Sequence, residues 1–110
     1  MKVKTESDKL RQLRKGVVEL YVSDHPLNCK GCPADTHCEL QSVAADLGVT
    51  TSPYGFDGAN HQAAPCDDSN PYFHFEPSLC IACSRCVRAC DEVQGTFALT
   101  IAGRGFESRV

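Results

Sequence analysis

Eight cysteines and four histidines are present in 110 residues, and most of the cysteines fall in two ordered runs. His25, Cys29, Cys32 and Cys38 spell H-x3-C-x2-C-x5-C, and Cys80, Cys83, Cys86 and Cys90 spell C-x2-C-x2-C-x3-C. Together the runs use seven of the eight cysteines. Soft thiolate donors at such spacing suit iron–sulfur clusters. A cubane cluster has four iron corners, each taking one protein ligand. The first run offers three thiolates and an imidazole, and the second offers four thiolates. Chemistry of this kind is one-electron carriage.

Within the first run, Cys29 and Cys32 lie close enough for one short turn to reach two corners, and Cys38 opens the next helix and reaches a third. Pro26 stiffens the approach of His25. A neutral imidazole in place of a thiolate removes negative charge and raises the reduction potential. The second run is the more specific signal, because three cysteines at two-residue intervals wrap one cluster. In two-cluster ferredoxins the fourth cysteine of such a run binds the other cluster, and here no cysteine follows Cys90. Three arrangements would supply the missing ligand. The partner run lies in a further segment, Cys66 substitutes, or Cys90 turns back to the cluster of Cys80, Cys83 and Cys86. The first is the expectation. Cys90 is followed by Asp91, where bacterial ferredoxin runs often carry proline. Backbone amides around Lys30-Gly31 and Ala82-Cys83 are expected donors to cluster sulfur. Cys66 is expected to be a free thiol in a loop, and His37, His61 and His74 to be solvent or loop histidines.

Elements must hold these ligands in place. Leu10, Leu13, Val17 and Leu20 recur at helical spacing and predict an amphipathic helix over 6–22, with Thr5 and Asp8 as a capping signal. Residues 24–38 are a ligand loop punctuated by Pro26, Gly31 and Pro33. A second helix is expected from Cys38 to Leu47, with Leu40, Val43, Ala44 and Leu47 on one side and Gly48 as its C-cap. Residues 49–70 read as a linker, marked by Pro53, Gly55, Gly58, Pro65 and the Asp67-Asp68-Ser69-Asn70 cluster. Beyond it a short strand is expected at 72–75, then a helix from Ser84 to Val93 ended by Gly95. The alternation of Phe97, Leu99 and Ile101 predicts a strand, turned by Gly103-Arg104-Gly105 into a second short strand at 106–109. The fold class is therefore α+β, a small metal-stapled helical module at 1–48, a linker at 49–70 and a small α+β unit at 71–110.

Composition narrows the function. The net charge is -3 and the pI is near 5.7, so nucleic acid is a poor partner. The basic residues Lys2, Lys4, Lys9, Arg11, Arg14 and Lys15 read as a solvated helix face. No signal peptide and no apolar run long enough to span a membrane are visible, which predicts a cytoplasmic chain where cysteines bind metal rather than pair as disulfides. Tryptophan is absent, and a core this small needs metal staples. A zinc reading competes, since C-x2-C with one more cysteine and a histidine also makes a tetrahedral site. It predicts a structural interaction module without electron transfer.

The residues resemble a known family. HPLNCKGCPADTHCELQ, His25 to Gln41, looks like the one-histidine, three-cysteine [4Fe–4S] domain shared by the large iron–sulfur subunit of respiratory NADH dehydrogenase, by iron-only hydrogenases and by the alpha subunit of NAD-dependent formate dehydrogenase. Residues 71–110 are similar to the first ferredoxin-type segment of the last of these, most of all in CVRACDEVQGTFALT and in Gly103-Arg104-Gly105-Phe106. The resemblance is weakest over 48–66. It implies that His25, Cys29, Cys32 and Cys38 hold one [4Fe–4S] cluster and that Cys80, Cys83 and Cys86 hold three corners of another. Cys90 then belongs to a third, whose other ligands lie beyond Val110. It also implies half of a ferredoxin-like unit in a longer polypeptide, with a [2Fe–2S] domain upstream, a molybdopterin-binding catalytic domain downstream and a flavin/NAD-binding partner subunit. Formate oxidation coupled to NAD reduction would be the activity of that whole. This chain supplies electron transfer and no catalytic site. A hydrogenase or an NADH:quinone oxidoreductase is the alternative setting.

Overall fold

The computed structural model of the chain describes residues 2–54 and 61–110. The middle of the expected linker, including Gly55 and Gly58, lies outside the described residues. The chain divides into two compact units, Met1–Asp57 and Gly58–Val110.

In the first unit, helix α1 (Asp8–Ser23) starts where Ser7 accepts a hydrogen bond from the Leu10 N–H at 3.2 Å. Ser7, not Thr5, is thus the cap. A serine hydroxyl one position before the helix satisfies an otherwise orphaned N–H, while the Thr5 carbonyl accepts from Arg14 Nη2 at 2.6 Å. The helix ends at Asp24, just before His25-Pro26, because the residue preceding a proline is pushed out of the helical region. Helix α2 (Glu39–Asp46) packs against α1. It closes in a Schellman motif, with Val49 N–H to Ala44 O at 2.8 Å and Gly48 N–H to Ala45 O at 3.0 Å. The motif needs a left-handed residue, and Gly48 supplies it at φ +66. Arg11 Nη2 donates to the Asp46 carbonyl at 3.0 Å, placing a cation at the negative end of α2.

The core of this unit is Val18, Val22, Ala44 and Val49, with Leu47 packed on it. The expected apolar stripe is only partly used. Leu13 is 58% exposed, Val17 53% and Leu20 46%, whereas the i, i+4 pair Val18 and Val22 is buried. The reason is geometric: α2 is only eight residues long and covers a narrow strip of α1, one flank of the apolar face.

The second unit has little regular structure. Residues 77–79 form a 3-10 turn. Helix α3 (Arg85–Arg88) runs directly into a π-helical turn, Ala89–Val93, and Gly95 follows at φ +65. The expected strands are reduced to two isolated antiparallel bridges among the described residues, Asp67 with Phe75 and Ala102 with Arg109. Residues 97–101 alternate in hydrophobicity, but an alternating segment becomes a strand only when a neighbour takes its N–H and C=O groups. Phe97 moreover sits at φ +51, outside the extended region, and residues 105–107 form a 3-10 turn instead of entering a strand.

Candidate metal centres

The first ligand loop is anchored at both ends by packed helix. His25 follows α1 by two residues and is half-buried. Its Nδ1 lies 2.8 Å from the Pro26 carbonyl oxygen. A carbonyl can only accept, so Nδ1 carries the proton, and in the neutral ring the lone pair is left on Nε2. This is the arrangement that orients metal-binding histidines. Cys29 opens a 3-10 turn to Gly31, and Cys32 closes it by donating its N–H to Cys29 O at 3.1 Å. Cys38 is the N-cap of α2, its Sγ accepting from Gln41 N–H at 3.5 Å. Cys32 Sγ accepts from Ala34 N–H at 3.4 Å. The expected donor Gly31 is used elsewhere, giving its N–H to Asn28 O at 3.1 Å, because a 3-10 turn consumes that proton internally.

In the second loop, Cys80 follows the Pro77 turn, donating its N–H to Pro77 O at 3.0 Å, and its Sγ accepts from Ala82 N–H at 3.4 Å. Cys83 and Cys86 are exposed, and Cys80 and Cys90 are half-buried. The π-turn widens the backbone at Cys90, with Gln94 N–H reaching Ala89 O at 3.1 Å. This brings Thr96 Oγ1 to 3.0 Å and Ala98 N–H to 3.2 Å from Cys90 Sγ. The Thr96 hydroxyl first, and the Ala98 and Leu99 N–H groups after it, stabilise a thiolate and pull the Cys90 pKa below its ordinary value.

All eight cysteines are free thiols. Among the described residues no three His, Cys, Asp or Glu side chains stand close enough to share one metal ion. A tetrahedral zinc with Zn–S bonds of about 2.3 Å draws its thiolates to about 3.8 Å from one another. A cubane seats each ligand on its own iron, so its donors spread around a larger body. Among the described residues, the non-glycine residues with positive φ are Thr36, Ala82, Ser84 and Phe97. Thr36 lies between Cys32 and Cys38, Ala82 and Ser84 flank Cys83, and Phe97 lies between Cys90 and the donor Ala98. Each costs about 1–3 kcal/mol, and left-handed residues of this kind turn successive N–H groups toward one side, the basis of anion- and cluster-binding nests. By its chemistry, the donor set of one imidazole and seven thiols, four of whose sulfurs accept backbone N–H groups, fits iron–sulfur clusters.

The remaining candidates separate from these loops. Cys66 donates to Asp68 Oδ1 at 3.3 Å, and this contact first, reinforced by the charges of Asp68 and Glu76, pushes its pKa up to about 11. His74 Nδ1 pairs with the same Asp68 oxygen at 2.6 Å, and His37 Nδ1 meets Thr36 Oγ1 at 2.9 Å. His61 lies in a loop, as expected, but not in solvent. It is buried, and its Nε2 donates to the Ser108 carbonyl at 2.5 Å, a contact across 47 residues that no local pattern could announce. The sulfur-directed amides of Ala34, Gln41 and Ala98 were equally invisible in the sequence, since every residue but proline has an N–H.

Two loops with thiols, sulfur-directed amides and left-handed turns have the donor chemistry that suits iron–sulfur clusters. Comparison with known proteins adds to this: residues 14–53 match the NADH-ubiquinone oxidoreductase-G iron–sulfur binding region. Over 105 residues, 96% of the chain, it is 33% identical to the NADPH-Fe(3+) oxidoreductase subunit alpha of Geobacter sulfurreducens. Over its full length it is 36% identical to the NADP-reducing hydrogenase subunit HndD of Solidesulfovibrio fructosivorans. It is 29% identical to the mitochondrial NADH-ubiquinone oxidoreductase 78 kDa subunit of Candida albicans, again over its full length. The chain spans only 12%, 18% and 15% of these relatives, respectively. No helix among the described residues is long and apolar enough to cross a membrane.

Proposed function

We propose that this chain is the electron-carrying part of a larger, cytoplasmic NAD(P)-linked oxidoreductase. The observation that carries the reading is the His25 ring, whose Nδ1 proton is committed to the Pro26 carbonyl at 2.8 Å, with Nε2 set to bind at the head of three cysteines. His25, Cys29, Cys32 and Cys38 hold one [4Fe–4S] cluster. Cys80, Cys83 and Cys86 hold three corners of a second, and Cys90 serves a third in the ferredoxin-like unit that residues 71–110 begin. When bound, such clusters supply reversible one-electron redox chemistry. The protein sets the potential through its own groups. His25 replaces one negative thiolate by a neutral ring, and the Ala34, Gln41, Ala82 and Ala98 amides donate to sulfur, each change favouring the reduced state. Burial differs between the loops, with Cys83 and Cys86 exposed and the whole first set half-buried.

The resemblance of residues 71–110 to the formate dehydrogenase alpha subunit supports formate as the electron source, with NAD reduced in a flavin-bearing partner. The matched NADH-ubiquinone oxidoreductase-G region and the hydrogenase relative support a second setting, in which hydrogen or NADH is the source. The two separate when the intact complex is isolated anaerobically. Formate-dependent NAD reduction with bound molybdopterin supports the first, and hydrogen-dependent reduction or NADH oxidation supports the second.

The electron-carrier reading is tested by iron, zinc and acid-labile sulfide per chain on anaerobically purified protein. About four to eight iron with matching sulfide is expected of cubane ligation. Zinc without sulfide would leave a structural module. His25→Cys adds a negative ligand and is expected to keep the cluster while moving its potential to a more negative value. An unchanged potential and iron content in His25→Ala would remove histidine from the ligand set.

A further inference from the structure

The five residues between Cys32 and Cys38 contain no glycine, yet the chain must reverse there and deliver both sulfurs to one cluster. Thr36 takes the left-handed conformation at φ 68. Something must hold it, because threonine does not adopt this conformation unaided.

The holder is Gln41, on the first turn of α2. Its Oε1 accepts the Thr36 N–H at 3.3 Å, and its Nε2 donates to Asp35 Oδ1 at 2.9 Å. Asp35 Oδ1 also accepts the Thr36 N–H at 3.0 Å, so the carboxamide, the carboxylate and the strained peptide form a closed ring. The backbone N–H of the same Gln41 points at Cys38 Sγ at 3.5 Å. One residue thus grips the loop with its side chain and the ligand sulfur with its main chain. Gln41 and Asp35 are half-buried, and Thr36 is exposed.

We infer that Gln41, through Asp35, is a positioning residue for the first iron–sulfur centre. It fixes the separation of Cys32 and Cys38 and the aim of an N–H···S bond, and so sets the potential of that cluster rather than its presence. The inference rests on the ligand assignment proposed above.

Charge logic provides a test. Gln41→Glu keeps an acceptor for the Thr36 N–H but sets a carboxylate against Asp35. Asp35→Asn in the same chain restores a donor opposite Glu, with the polarity of the pair exchanged. The experiment compares wild type, Gln41→Glu and the Asp35→Asn/Gln41→Glu double variant as anaerobically purified holoprotein. The readouts are iron and sulfide content, the midpoint potential and EPR signal of the first cluster, and the rate of cluster loss in air. The single variant is expected to keep its iron but to show a more negative potential, a broadened signal and several-fold faster loss. The double variant is expected to return toward wild type in all three.

Wild-type potential and signal in Gln41→Glu would overturn the inference. So would a double variant that is no closer to wild type than the single one, including the case where neither retains a cluster. A single variant without cluster would overturn it as well, because Gln41 would then decide whether the cluster is present. Zinc in place of iron and sulfide in the wild-type protein overturns the ligand assignment itself, and the brace falls with it, an outcome seen before any variant is made.

Discussion

The two ligand loops solve the same problem with opposite resources. The first is strung between packed helices: α1 leads into His25, and Cys38 caps α2, whose far side closes on Val18, Val22 and Val49. The second has one four-residue helix and a π-turn, and the described residues of its unit contribute no member to the hydrophobic core cluster. Residues 91–100 are all exposed. A loop fixed by its neighbours is pre-shaped for its cluster, whereas a loop without a core takes its order from the cluster, as in other small metallo-domains.

The difference is largest when metal is removed. Stripping iron with a chelator in air is expected to abolish amide-exchange protection in the second loop first, at Ala82, Arg88, Gln94 and Ala98. Val22 and Val49, whose N–H groups lie in α1 and the α2 cap, should stay measurably protected. Simultaneous loss in both units would mean that the first module also depends on its cluster for its fold.

Ligand substitutions sharpen the contrast. Cys38→Ala and Cys38→Ser should both lose about four iron per chain, one cubane's worth. They should differ in α2, because serine still caps the helix and alanine does not, by about 1 kcal/mol in unfolding free energy. Cys86→Ser should also lose iron and, with it, the order of α3, which has no side-chain cap and no core to hold it. Equal stability of the two Cys38 variants would show that the cap contributes nothing beyond the metal.

Smaller effects should follow burial. Val22→Ala removes two methyl groups from the best-buried core position and is expected to cost about 1–3 kcal/mol. Phe97→Ala removes a whole ring that is 74% exposed, and should stay within about 0.5 kcal/mol. Denaturant unfolding of the metal-loaded protein would measure both. A large cost at Phe97 would mean that a partner segment covers it.

The same contrast explains what the sequence made legible. Helix α1 and the Gly48 cap of α2 were readable because their signals are local: a 3.6-residue period, and a glycine just beyond the last turn. The ligand runs were readable because cysteine spacing fixes reach. The covered face of α1 was not, since periodicity identifies an apolar face but does not say how much of it a short neighbour will cover. Leu13 and Val17 lost to Val18 and Val22 for that reason. The strand expected from Phe97 to Ile101 depended on a pairing partner, which a single alternating segment cannot specify. Thr36, Ala82 and Ser84 carried no sign of their left-handed backbones, because the conformation is imposed by loop closure and bracing bonds, not chosen by the residue.

Within the second unit, Cys66 and Cys90 offer the finest comparison, two thiols pushed in opposite directions. Thr96 and Ala98 favour the Cys90 thiolate, whereas hydrogen bonding to Asp68 keeps the Cys66 proton, raising its pKa from 9.0 to about 11. Since the folded value is the higher, holding this proton stabilises the fold at all pH values below the ordinary 9.0. That contribution fades as pH climbs through about 11. Thiolate is the nucleophile, so in cluster-free protein at mildly alkaline pH iodoacetamide should label Cys90 faster than Cys66 by about tenfold or more. Asp68→Asn should narrow the gap by freeing Cys66. Equal labelling would show that the acid-lined bridge does not hold the thiol. Loading the clusters then separates a ligand from a merely restrained thiol: Cys90 should become unreactive, and Cys66 should label at its former slow rate. If Cys66 instead becomes protected only on loading, it is the ligand that completes the cluster of Cys80, Cys83 and Cys86, and the second loop closes without a further segment.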